Sequence, residues 1–342
     1  RRGAQVRGGG PAAGPSVRDM EDAADDTPKI LLCGSPRAGK TSILKVVFSK
    51  MSPHETLFLE STPKPEVTPV ARNALMRFKV LDFPGSMSFD ESSEGWFTKT
   101  GAVVFVIDAQ VEPYAEALSA AKKTIELAHK INPKMSFEIF IHKIDGDQFF
   151  SDDHKAEIQR DIRGKLTDEL QDKVDAQINY HCTSLYDHTV FEAFSKVVQK
   201  MVPHLEVLEQ CLDLLITQSR MEKAFLFDVV SKVYIASDPQ PVALQQYELC
   251  SDMIDVVIDV SCIYGLAEDN TSIASDTKSS CVIHLVNGTL LYLREVDHYL
   301  ALVCILREEN FDRQHLLDHN IKVFKEALQD LFRASRRGSA GV

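Results

Sequence analysis

From about residue 28 to 200, short apolar runs alternate with stretches whose apolar residues recur three and four positions apart. Strand signals alternating with helix signals predict a parallel α/β sheet. Lys29-Ile30-Leu31-Leu32-Cys33 and Phe137-Glu138-Ile139-Phe140-Ile141 read as strands. Gly101 to Asp108 reads as a central strand, apolar on both faces. Met76 to Asp82 alternates at first, then turns apolar up to its terminal carboxylate. Ser42 to Phe48 has helical spacing, with Ile43, Val46 and Val47 on one face. Ala115 to Lys130 predicts a helix with Leu118, Ala121, Ile125, Leu127 and Ala128 inward, stopped by Pro133. Phe191 to Val202 predicts a closing helix punctuated by Pro203. Pro63 to Val70 is proline-rich and without period, as a switch loop would be.

The second half changes pattern. Leu205 to Ser219 predicts a helix with Leu208, Leu212, Leu215 and Ile216 as its stripe. Phe225 to Val229 and Val233 to Ile235 read as short strands. Gln245 to Cys262 has helical recurrence at Met253, Val256, Val257 and Val260, although its Ile and Val content also suits a strand. Gly265 to Ser280 reads as a polar loop. Strand runs follow at Cys281 to Val286, Thr289 to Glu295 and Leu300 to Leu306, with a hairpin signal at Asn287-Gly288. Phe311 to Phe332 predicts an amphipathic helix. Helices bracketing a meander imply an α/β/α sandwich, so the expected division is 28–203 and 204–333. The Gly/Pro/Ala-rich segment 1–27 and the tail 334–342 are expected to be disordered.

Length and charge narrow the classes. At 342 residues the chain exceeds one usual domain. A net charge of −12 argues against nonspecific nucleic-acid binding and against adsorption to anionic membranes. No run is long and apolar enough to cross a bilayer, and the end carries no prenylation cysteine, so membrane residence would need a protein partner. Seven cysteines without framework spacing suggest a reducing compartment. Cys33 and Cys304 read as buried small apolar residues.

Candidate chemistry gathers at the ends of the strands. Gly34-Ser35-Pro36-Arg37-Ala38-Gly39-Lys40-Thr41 fits G-x-x-x-x-G-K-[ST] between a strand and a helix. That context turns backbone N–H groups and a helix N-terminus onto phosphates. Lys40 would reach the β- and γ-phosphates, and the Thr41 hydroxyl would ligate Mg²⁺. Ser35, Arg37, Ala38, Gly39 and Ser42 complete the phosphate-side candidates; Pro36 withholds one donor. Asp82-Phe83-Pro84-Gly85 fits D-x-x-G, an aspartate on the metal side and a glycine N–H for the γ-phosphate. Thr62 is the candidate switch threonine closing on Mg²⁺, with Thr56 as its rival. His142-Lys143-Ile144-Asp145 stands where N-K-x-D is usual. Asp145 would accept from the guanine N1–H and exocyclic amine, a donor pair adenine lacks. Lys143 would cover the ring, and His142 alters the loop-bridging amide. Ser184, in Cys182-Thr183-Ser184, is a weaker candidate near the base oxygen.

These motifs in this order resemble the Ras-like superfamily. His142-Lys143-Ile144-Asp145-Gly146, Ser151-Asp152-Asp153-His154-Lys155, Phe191 to Lys200, Met51 to Thr62 and Glu222 to Asp228 narrow it, for each resembles the Rag GTPases of the C/D subtype. The likeness runs from about Pro28 to Phe332. It implies an α/β fold, a Ras-like P-loop GTPase domain followed by an α+β roadblock-type dimerisation domain. It also implies GTP or GDP with Mg²⁺, held through Thr41, Thr62 and Asp82. The implied partners are a Rag A/B-type subunit, a lysosomal Ragulator-type anchor complex and mTORC1, which responds to amino acids. The implied location is the cytoplasm and the lysosomal surface, with the nucleus as a second site.

One residue departs from that pattern. Gln usually follows D-x-x-G and orients the attacking water; here it is Ser86. No catalytic residue is therefore assigned. Three readings stand: a guanine-nucleotide switch in a heterodimer, a nucleotide-dependent scaffold with little hydrolysis, and a P-loop kinase or ATPase, which Asp145 disfavours.

Overall fold

The computed structural model describes residues 27–72, 75–90, 93–146, 149, 151–170, 176–264 and 280–338. Two sheets organise them. The first comprises β1 (Lys29–Gly34), β2 (Glu66–Ala71), β3 (Arg77–Asp82), β4 (Thr100–Asp108), β5 (Ser136–His142) and β6 (Ile178–Thr183), in the order β2-β3-β1-β4-β5-β6. All neighbours are parallel except β2, which lies antiparallel to β3 at the edge. Helices α1 (Lys40–Ser49) and α5 (Thr189–Gln199) cover one face. Helices α3 (Ala115–Ile131) and α4 (Asp152–Leu170) cover the other, and α2 (Glu94–Phe97) is a single turn. Central strands packed on both faces need apolar residues throughout, and Val103 to Ile107 are all buried.

The second sheet is antiparallel: β7 (Lys223–Asp228), β8 (Tyr234–Ser237), β9 (Ser280–His284), β10 (Thr289–Asp297) and β11 (Leu300–Arg307), ordered β8-β7-β11-β10-β9. Helices α6 (Leu205–Ser219) and α8 (Gln314–Gly338) pack on one face, and α7 (Leu244–Tyr264) on the other. The expected α/β/α layering is present. The core under α1 and α5 runs without a break into the core under α6 and α8.

Several local expectations are corrected. Pro63 to Val70 is not all loop, since Glu66 onward forms β2. Pro69 is tolerated because an edge strand need not donate every N–H. On α7 the buried side is Tyr247, Cys250, Met253 and Ile254, while Val256 and Val260 are 50% and 49% exposed. Val286 falls in the turn after β9 and is fully exposed. Helix α4 has no counterpart in the sequence reading; its only buried residues are Ile158, Ile162, Leu166 and Leu170, one per turn of a very polar segment. Helix α8 continues to Gly338, through residues expected in a disordered tail. Ala and Arg are good helix formers, so nothing stops it at 333. The disorder expected over 1–26 and 339–342 and the polar loop expected over 265–279 lie outside the described residues.

Candidate nucleotide site

The carboxyl ends of β1, β3, β4, β5 and β6 open into a cavity of about 1010 Å³. Ligands in open α/β sheets bind at this edge. Register aligns the ends: Leu32 pairs with Asp82, Asp108 with His142, and His142 with Thr183.

On the phosphate side, the chain leaves β1 at Gly34 and enters α1 at Lys40. Gly39 caps α1 with φ 94°, a left-handed conformation that costs an L side chain strain. A Cβ there would also meet the His142 ring at 2.8 Å. Lys40 is 6% exposed, and its Nζ donates to the carbonyls of Gly34 and Ser35 at 2.9 Å each. Its amine is thereby aimed across the loop. Burial lowers its pKa, opposed by the charge of Asp82. Arg37 holds φ 62°, and Ala38 is buried with its N–H on the Ser35 carbonyl. Ser42 lines the cavity.

Three oxygen-bearing side chains converge beside this loop. The Thr41 hydroxyl donates to Asp82 Oδ2 at 2.5 Å and lies 2.8 Å from the Thr62 hydroxyl. Thr62 also reaches Asp82 Oδ2 at 3.4 Å. Asp82 is fully buried and its Oδ1 has no hydrogen-bond partner. Burial raises its pKa, opposed by the Thr41 bond and by Lys40. Among the described residues no cluster of three His, Cys, Asp or Glu side chains could hold a metal by itself. One carboxylate and two hydroxyls suit a hard cation whose coordination is completed by phosphates and water, as Mg²⁺ prefers. The orphaned Oδ1 fits such an ion or its hydration shell.

Thr56 and Thr62 both line the cavity, yet they differ. The Thr56 hydroxyl donates to the Pro53 carbonyl at 2.7 Å inside a 3-10 helix over Pro53–Phe58. It is occupied locally, and Thr62 alone joins the oxygen cluster. Gly85 packs on the phosphate loop, where a Cβ would fall 2.4 Å from Pro36 Cα and N. Ser86 lines the cavity beside it.

On the base side, Lys143 Nζ donates to the Arg37 carbonyl at 2.8 Å and to Asp108 Oδ2 at 2.5 Å. Its stem is thus stretched along one wall. His142 is buried, its Nδ1 3.0 Å from the Thr183 hydroxyl. Its ring lies against Gly39, so imidazole links the base loop to the phosphate loop where an amide is usual. Burial and then the Lys143 charge lower the His142 pKa to about 4, so the ring is neutral at pH 7. Asp145 Oδ1 accepts from the Ser184 hydroxyl at 2.8 Å. The Ser184 N–H goes to Thr189 Oγ1, also at 2.8 Å. Ser184 was expected near the base oxygen; with both groups committed, it orients Asp145 instead.

Sequence reasoning missed Asp108, Gln110 and Tyr186. Gln110 Nε2 donates to the Lys143 carbonyl at 3.0 Å, and Gln110 and Tyr186 line the base end. The available signal was positional: Asp108 ends a central strand, as Asp82 does.

A phosphate loop, an oxygen cluster that closes on it and a carboxylate set to read a base are required together by one class, the Ras-like GTPases. Residues 29–254 match the family model described as the Gtr1/RagA G protein conserved region. Ras-related GTP-binding protein C of Homo sapiens is 53% identical over 315 residues, spanning 91% of this chain and 78% of the relative. Ras-related GTP-binding protein D of Mus musculus is 51% identical, spanning 89% and 68%. GTP-binding protein GTR2 of Saccharomyces cerevisiae is 40% identical, spanning 93% and 97%. Members of the A/Gtr1 branch match more weakly, at 21% to 24% identity. The chain belongs to the Gtr1/Rag family of G proteins, in its C/D branch. It is accordingly a guanine-nucleotide-binding GTPase, and the ATPase or kinase reading falls away.

Proposed function

We propose that this chain is the C/D-type half of a Rag heterodimer and alternates between GDP and GTP at the cavity described above. The observation that carries this reading is the convergence of the Thr41 and Thr62 hydroxyls on Asp82 Oδ2, beside a buried Oδ1 with no hydrogen-bond partner. Bound Mg²⁺ would neutralise charge on the β- and γ-phosphates. Thr41 and Thr62 would ligate it directly, and Asp82 would hold it through water. Lys40, already reaching over the loop, would lie against the phosphates. The Gly85 N–H would meet the γ-phosphate, so loss of that group would free both Thr62 and the segment after Gly85. Lys143 and Asp145 would cover and read the guanine.

Membership of the family supports a role in recruitment. The chain would pair through its carboxyl-terminal half with an A/B-type subunit. A Ragulator-type anchor would hold the pair at the lysosomal surface, where it would present mTORC1 with the state of amino-acid supply. The weaker matches to the A/Gtr1 branch support a paralogous partner. The test is to purify the chain with such a partner and identify the retained nucleotide by chromatography, with and without a chelator. GDP or GTP released by chelation is expected; retained adenine nucleotide, or none, would refute the site.

Ser86 favours a second reading of the same site. A serine hydroxyl is too short to orient the attacking water as a glutamine does. The chain would then act mainly as a nucleotide-dependent scaffold with slow hydrolysis. Single-turnover hydrolysis in the heterodimer, compared with Ser86→Gln, separates the two: acceleration by Gln supports the scaffold.

A further inference from the structure

The far end of the switch hairpin is tied into the carboxyl-terminal half by Arg72. Arg72 follows β2 directly, and its N–H bonds the Met76 carbonyl at 3.1 Å, closing the turn toward β3. Its Nη1 pairs with Asp228 Oδ2, 156 residues away at the end of β7. Its Nη2 donates to the Phe48 carbonyl at 3.1 Å, in the last turn of α1. Asp228 has no solvent exposure and the Arg72 side chain keeps 14%. The same Asp228 Oδ2 accepts from the Ser231 N–H and hydroxyl, while Oδ1 has no hydrogen-bond partner. Arg72 therefore supplies the side-chain charge that compensates a carboxylate wholly removed from water.

The position of Arg72 gives this pair more than a structural meaning. β2 and β3 are paired from Glu66↔Asp82 at one end to Ala71↔Arg77 at the other. One end of the ladder holds Asp82, with Thr62 four residues before β2; the other end holds Arg72. Six paired positions connect the two ends. The helix from the phosphate loop has Phe48 in its last turn, and Arg72 also holds that residue's carbonyl. On the other side, Asp228 and Ser231 shape the β7–β8 turn, and Lys232 in that turn pairs with Asp255 of α7 at 2.7 Å. Helix α5 is fastened separately, Ser195 Oγ accepting from the Tyr234 N–H at 3.0 Å. That bond is a second tie between the halves, made without Arg72.

We propose that Arg72 is a positioning residue of the nucleotide switch. Its planar guanidinium clamps the β2–β3 hairpin to Asp228 and the end of α1, so a shift at Thr62 or Asp82 changes the β7–β8 turn and α7. This rests on guanine nucleotide binding between Lys40 and Asp145. By linkage, any partner that favours one arrangement of the β7–β8 turn favours one nucleotide. Lysine is a poor substitute here, because Asp228 and the Phe48 carbonyl are met by two separate nitrogens of the planar fork, and a lysine offers one nitrogen at one point.

The test compares the full chain, purified with its partner, as wild type, Arg72→Lys, Arg72→Ala and the double variant Arg72→Met with Asp228→Asn. The double variant removes both charges and so leaves no buried carboxylate unpaired, which keeps the fold testable if Arg72→Ala unfolds. Hydrogen exchange over residues 223–264 is read with GDP and with a non-hydrolysable GTP analogue, and retained nucleotide is measured in each sample. The expected result is a nucleotide-dependent change of protection in the wild type, reduced in Arg72→Lys and lost in the double variant, with nucleotide still bound in all. A double variant that keeps the full wild-type response overturns the proposal. So does a wild type that binds both nucleotides and shows no difference over 223–264. Failure to bind either nucleotide overturns the site itself and the proposal with it.

Discussion

Asp145→Asn should transfer base preference from guanine to xanthine, and the structure says which way the new amide will face. Ser184 Oγ accepts from the Tyr186 N–H at 3.0 Å, so its own proton is committed to Asp145 Oδ1 at 2.8 Å. An asparagine at 145 must therefore place its carbonyl oxygen at the Oδ1 position, toward Ser184. Its NH₂ group then occupies the Oδ2 position, which the proposed binding mode sets against base position 2. Guanine offers an amine there, donor against donor. Xanthine offers a carbonyl, and the pair is restored. Hydrogen bonds to a charged group contribute about 1.5 to 3 kcal/mol each, so removing the charge from one and setting donor against donor at the other should cost GDP roughly 3 to 5 kcal/mol, about a 10²- to 4 × 10³-fold loss of affinity.

The assay is competitive binding of GDP and XDP to wild type, Asp145→Asn and Asp145→Asn with Ser184→Ala. Removing the Ser184 hydroxyl frees the amide to rotate, so the double variant should lose part of the xanthine preference. Unchanged GDP affinity with no gain for XDP would mean that Asp145 does not read the base. An undiminished preference in the double variant would mean that Ser184 does not orient it.

How far the sequence discloses this molecule depends on the distance over which each constraint acts. The phosphate loop is legible because Gly34, Gly39, Lys40 and Thr41 are set by the local geometry of one strand–loop–helix turn. Strands β1, β4 and β5 are legible because burial on both faces demands continuous apolar runs. Helix α4 escapes notice because one buried residue per turn hardly differs from a solvated segment. Strand β2 escapes because Pro69 removes a donor that an edge does not need. At the site, Asp82 and Lys143 are legible from their motifs. The role of Ser184 is not, since it depends on Tyr186 and Thr189 claiming its other groups. The Arg72–Asp228 pair spans the two halves and has no local signature. The recurrence at Val256 and Val260 reveals that α7 is a helix but not which side faces in, and the sheet is met by Tyr247, Cys250, Met253 and Ile254.

Thr41→Asn should weaken GTP more than GDP, because only the triphosphate shares Mg²⁺ between β- and γ-oxygens; equal losses by calorimetry would refute this. Gly85→Ala should disrupt the GTP-bound arrangement, since its Cβ would lie 2.4 Å from Pro36 backbone; fluorescent-nucleotide exchange should show faster GTP than GDP release, and unaltered release would contradict it. His142 carries a pH signature. Its folded pKa of about 4 lies below the ordinary 6.5, so its contribution is fully present above pH 6.5 and is lost as pH falls through 4. The contribution is on the order of 3 kcal/mol, and His142→Asn should flatten the stability profile between those values in chemical denaturation. The remaining prediction concerns pairing. The apolar core is continuous between the two halves, so the full chain is the proper object of the test. Alone it should self-associate, and with an A/B-type partner it should give a defined heterodimer by light scattering. Val256 and Val260 lie one turn apart on the outer side of α7, each about half exposed, which is more apolar surface than a solvated helix needs. Covering them should contribute roughly 2 kcal/mol, so Val256→Glu with Val260→Glu should weaken pairing about thirtyfold while barely changing the unfolding midpoint. The inner residues Tyr247, Met253 and Ile254 hold the helix to its own sheet, so the outer pair is free to serve a partner without costing the fold. A well-behaved monomer that ignores the partner would overturn the heterodimer. Normal pairing by the double glutamate variant would move the interface off α7 and leave the nucleotide site unaffected.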